Sequence, residues 1–98
     1  MNIVDITLDN AKQFLIDESF IRHVVIEFWA EHSKNLTPTL EKLAHEFNGR
    51  FLLAKVNTNE LATISSQFSV RSVPTVIVMK EGQPIDGFTG ALPEIQVR

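Results

Sequence analysis

Four stretches of the chain are mostly apolar: IVDI (3–6), VVIEFWA (24–30), FLLAKV (51–56) and TVIVM (75–79). Short runs of this kind, rich in Val, Ile and Phe, read as strands, and the near-continuous ones as strands covered on both faces. Between them the apolar residues change to helical spacing. Leu8, Ala11, Phe14 and Leu15 recur at helical spacing, and Thr7 or Asp9 can cap the helix. From about Asn35 to Asn48, a second stripe of Leu36, Leu40, Leu43, Ala44 and Phe47 ends at Asn48-Gly49, a left-handed C-cap. Asn59 is placed to cap a third helix, ELATISSQF, with Leu61, Ile64 and Phe68 on one face. After TVIVM, Glu81-Gly82 reads as a turn and PIDGFTG (84–90) as the returning strand of a hairpin. Pro93-Glu94 looks like a first helical turn, with the sequence ending at Arg98.

The order β-α-β-α-β-α-β-β predicts an α/β domain spanning 1–98, with crossover connections and helices on both sides of a central mixed sheet. Composition narrows the classes of function. With 44% hydrophobic and 21% charged residues, and only four Gly and four Pro, the chain is globular and not disordered. A formal net charge of −3 provides no electrostatic footprint for nucleic acid or an anionic membrane. The N-terminal segment is acidic and lacks a basic, apolar leader, and no apolar run approaches the roughly 20 residues of a membrane span. A cytoplasmic location is expected.

The cysteine count changes the picture most. It is zero, so thiol chemistry, disulfides and cysteine-ligated metals have no ligand or nucleophile here. His23, His32 and His45 fall in three separate elements without metal-ligand spacing, and no cofactor is expected. His32-Ser33 offers no hydrolase site: adjacent side chains point apart, and no Gly-x-Ser-x-Gly elbow surrounds the serine.

FWAE (28–31), Pro38 within the following helix, AKVN (54–57), SVPT (72–75) and KEGQPIDGFTGAL (80–92) together resemble the thioredoxin family, in order and in spacing. The resemblance runs from Ile3 to Leu92. It implies a thioredoxin-like fold whose C-terminal helix is truncated or absent here, which would uncover apolar side chains of the TVIVM hairpin and leave an interface. At the active site the chain departs from the family. Thioredoxins continue from the Trp through a second Trp and Cys-Gly-Pro-Cys, whereas Trp29 to Pro38 is shorter by about three residues and carries His32, Ser33, Lys34 and Asn35. A serine hydroxyl does not ionise near neutral pH or bond sulfur reversibly, so disulfide oxidoreductase activity is not expected.

The resemblance also assigns roles. It makes Pro74 a cis proline, leaves the backbone of Val73 free to bond an extended peptide beside Trp29, and pairs Glu27 with Lys55. In thioredoxins that acid moves a proton for the resolving Cys; without one, a structural charge pair is expected. Within the family, the 82–88 stretch looks most like the N-terminal domain of chaperedoxins. The expected function is therefore a redox-inactive module that holds unfolded or partner polypeptides. The alternatives are an assembly subunit, as a homodimer or completed by a partner, and a glutathione-binding protein.

Overall fold

In the computed structural model, which describes residues 2–31, 37–47 and 49–89, the apolar runs become neighbouring strands of one mixed sheet. Strands β1 (Ile3–Asp5), β2 (His23–Trp29), β3 (Phe51–Asn57), β4 (Thr75–Lys80) and β5 (Gln83–Thr89) stand in the order β1-β3-β2-β4-β5. β1 and β2 run parallel to β3, β4 is antiparallel to β2, and β5 returns beside β4 as a hairpin.

The continuous apolar character of β2 and β3 follows from cover on both faces. Val24, Ile26 and Phe28 of β2, with Leu52, Ala54 and Val56 of β3, face a cluster that includes Leu15 and Ile64. Val25, Leu53 and Val76 face the other way, against Leu40 and Ala44 of helix α1 (Thr37–Glu46). Pro38 is the second residue of α1, where a missing N–H removes no intrahelical bond. Beside α1 this face opens as a groove of about 350 Å³ lined by Val25, Leu43, Phe47, Val76, Val78 and Phe88. The last helical turn suggested by Pro93-Glu94 lies outside the described residues, as do Leu36 and Asn48. Gly49 does take the left-handed conformation of a cap, with φ 87°. Among the described residues no helix is long and apolar enough to cross a membrane.

Two local expectations need correction. Thr7 and Asn10 bond each other in the turn before the first helical segment, the Thr7 hydroxyl accepting from the Asn10 N–H at 3.2 Å and Asn10 Oδ1 from the Thr7 N–H at 2.8 Å, but the segment's own N-cap is Ala11, without a side-chain bond. Beyond that turn the chain is not a regular α-helix, however, but π-helical over Lys12–Ile16 and 3-10 over Asp17–Phe20. Ser19 anchors this stretch to the far end of the chain. Its hydroxyl donates to the Ile16 carbonyl and accepts from the Gly82 N–H at 2.8 Å, while its carbonyl accepts from the Glu81 N–H at 2.8 Å. Spacing along one helix carries no information about that long-range tie. The second correction concerns Asn59, which caps nothing. Asn57 accepts the N–H groups of Asn59 (3.0 Å) and Glu60 (3.3 Å), and helix α2 begins only at Ala62, running to Gln67. An Asx turn at the end of β3 satisfies those donors first.

The β4–β5 turn is as expected: Glu81 and Gly82 both lie at positive φ, 53° and 79°, as a two-residue hairpin loop with right-handed twist requires. A Cβ at Gly82 would sit 2.9 Å from the Phe20 ring, so the glycine also admits the aromatic cover of the turn.

Candidate functional site

β2 and β3 end, and β4 begins, at the same edge of the sheet. Open α/β sheets bind ligands at the carboxyl ends of their parallel strands. There the register opposes Phe28 to Thr75, which sets Trp29, the next residue, against the Val73–Pro74 loop. Thr58, just past β3, fixes the end of β2 by donating its N–H (3.0 Å) and its hydroxyl (3.3 Å) to the Trp29 carbonyl. The indole of Trp29 is half-buried.

Local chemistry brings the loop to this place. α2 ends in a Schellman arrangement, in which the Val70 N–H reaches back to the Ser65 carbonyl (3.0 Å) and the Ser69 N–H to the Ser66 carbonyl (3.0 Å). Ser69 takes the left-handed conformation, φ 59°, that this ending requires. The chain then turns through Arg71 and Ser72, and Thr75 secures it by donating its hydroxyl to the Ser72 carbonyl at 2.6 Å. The Val73–Pro74 peptide bond is cis. Pro74 is buried, Val73 half-buried, and Arg71 and Ser72 exposed. Among the described residues neither the N–H nor the C=O of Val73 takes part in a hydrogen bond. A buried backbone group left in that state is costly, so the partners of these two groups matter to what the loop does.

Of the residues singled out in the sequence, the structure brings Trp29, Val73 and Pro74 to one edge. His32, Ser33, Lys34 and Asn35 lie outside the described residues. Sequence reasoning passed over Thr58, Arg71 and Ser72; the signal for the last two was their position directly before Val73.

Glu27 and Lys55 require a correction. They are register partners on β2 and β3, and Glu27 is fully buried. Yet Lys55 turns its ammonium to Glu41 of α1 at 2.9 Å and to Asp5 of β1 at 3.6 Å. A long flexible side chain reaches two carboxylates nearer solvent, where the ammonium keeps part of its hydration. Glu41 is itself half-buried. Burial by itself pulls the Lys55 pKa down, but the Glu41 hydrogen bond, with the charges of Asp5 and Glu41, outweighs it. The net result lies above the ordinary value of 10.5. The pair therefore stabilises the fold fully below pH 10.5, and that contribution is lost as pH rises through the higher folded value. Urea midpoints are expected to fall across this alkaline window and to fall less in Lys55→Met; identical pH profiles would exclude the linkage. Among the described residues no three His, Asp or Glu side chains are grouped to hold a metal ion.

A parallel-antiparallel sheet of this order with a cis-proline loop beside a Trp defines a thioredoxin-like α/β protein. The family model for thioredoxin matches residues 3–98, and the chain belongs to the thioredoxin family. Thioredoxin 1 of Nostoc sp. is 32% identical over 92 residues, covering 91% of this chain and 84% of that protein. The thioredoxin of Haemophilus influenzae is 36% identical over 77 residues, covering 76% and 72% respectively. A solved thioredoxin variant from Halobacterium salinarum superposes with a TM-score of 0.83 at 21% identity, covering 98% of this chain and 84% of the other, which shows the common fold. The curated relatives are thioredoxins, and this overturns the expectation of a chaperedoxin-type holdase for unfolded polypeptides.

Proposed function

We propose that this protein performs the recognition half of thioredoxin chemistry: it docks an extended, disulfide-bearing segment of a thioredoxin target at Val73, without exchanging thiols itself. The reading rests on one observation, the pair of backbone groups on half-buried Val73 that no described residue satisfies, at the strand ends beside Trp29. A segment laid along the loop would accept from the Val73 N–H and donate to its C=O, which is strand addition by a single residue pair. Exchange would need a thiolate to attack the disulfide, and the chain has no cysteine to supply one. Membership of a family that ordinarily acts as a disulfide oxidoreductase favours disulfide-bearing targets over other polypeptides.

Two measurements with insulin test this. The chain should leave the rate of insulin reduction by dithiothreitol unchanged, yet slow its reduction by a thioredoxin that carries the cysteine pair. In the same mixture without thioredoxin, the Val73 amide signal should move and saturate as insulin is added. Acceleration of the dithiothreitol reaction would overturn the assignment of recognition alone. A motionless Val73 signal would overturn recognition.

A further inference from the structure

Resting on that docking reading, we infer that the groove beside the Val73 loop is a subsite for a carboxylate of the docked segment, with Arg71 as the residue that selects it. The groove has a volume of about 280 Å³ and includes Thr58, Ser66, Arg71, Ser72 and Val73 in its lining. Apart from short aliphatic side chains, that lining is made of hydroxyls and one cation, and it contains no acid.

Arg71 differs from the other well-placed cations of the molecule. Arg22 is held by Glu18 at 2.8 Å and by the Gly49 carbonyl at 3.0 Å, and Lys55 by Glu41 and Asp5. Arg71 is exposed, and among the described residues it forms no ion pair or hydrogen bond. Its planar fork of donors matches a carboxylate, which it can bind through two parallel N–H···O bonds. In a chain of net charge −3, a guanidinium with no partner among the described residues is a candidate to receive a ligand's carboxylate.

Position supplies the register. Arg71 lies two residues before Val73, on the loop that the Schellman ending of α2 and the Thr75–Ser72 bond hold in place. An extended segment advances about 3.3 Å per residue, so a carboxylate one or two positions from the residue paired with Val73 comes within reach of the long Arg71 side chain. The hydroxyls of Ser66, Ser72 and Thr58 line the same groove and suit a polar rather than an apolar side chain. The preferred target is thus a disulfide-bearing segment with Asp or Glu close to its docking residue.

The test uses two short, end-blocked peptides with a central Cys held as its methyl disulfide, identical except for Asp or Asn two positions from it. Each is titrated into the isotope-labelled chain with the Val73 amide as readout. The Asp peptide should bind about three- to fivefold tighter at low salt, the size of a well-placed exposed ion pair. The preference should vanish in Arg71→Gln, persist in part in Arg71→Lys, and weaken at high salt. Equal affinity for the two peptides, with Val73 responding to both, would remove the acid subsite and leave the docking reading standing. A Val73 signal that responds to neither peptide would remove both.

Discussion

Phe28→Ala is expected to lower the unfolding free energy by about 3–5 kcal/mol, a large share of what a domain of this size has. The ring is fully buried, and it packs against Phe68 with centroids 5.6 Å apart. Its surroundings cannot collapse into the space it leaves. β2 is paired on both sides, with β3 and with β4, so its backbone is held at every register position around Phe28. The loss should therefore contain a cavity contribution as well as the lost transfer free energy. Phe28→Leu keeps most of the volume and should cost less than half as much. Urea unfolding of the three chains decides: a loss below about 1 kcal/mol with an unchanged m-value would mean that the core does relax around the site. There is a functional consequence as well. Phe28 precedes Trp29 and opposes Thr75, so its removal should loosen the edge that presents Val73.

Gly87→Ala should be the next most damaging of the small changes, at about 1–3 kcal/mol. A Cβ there would lie 2.8 Å from the backbone carbonyl oxygen of Val76 and 3.7 Å from Ile77 Cα. Real Cβ atoms do not approach a backbone oxygen so closely, and the oxygen belongs to an inner strand that cannot swing aside. β5 is the edge strand and must therefore move. The expected signature is local: amides of the β4–β5 ladder exchange faster, while those shared by β2 and β3 change little. Uniform protection with an unchanged urea midpoint would show that the close approach carries no strain.

Much of this was legible along the chain. β2 and β3 were readable because both of their faces are covered, which turns a strand into an uninterrupted apolar run. The hairpin was readable because Glu81-Gly82 satisfies a backbone requirement that few residue pairs meet. The first helical segment was legible only as far as the turn that precedes it. Thr7 and Asn10 bond each other within one turn, whereas the π- and 3-10 windings beyond them accompany Ser19, whose partners are Glu81 and Gly82. The charge pair failed for a similar reason. Glu27 and Lys55 do share a register position, but the reach of the lysine side chain, not the register, chose Glu41 and Asp5.

The sequence by itself determined the strands, the closing turn and the family motifs, and through its lack of cysteine it withheld the thiols that exchange requires. These are local properties: periodicity reports which face of an element is buried, and composition reports which chemistry has a reagent. Only the tertiary structure decided which long side chains meet, how the first helical segment winds, and that Arg71, Thr58 and Val73 border one groove. Those outcomes join residues far apart in the chain through strand order and packing, and no pattern confined to a few neighbouring residues encodes them.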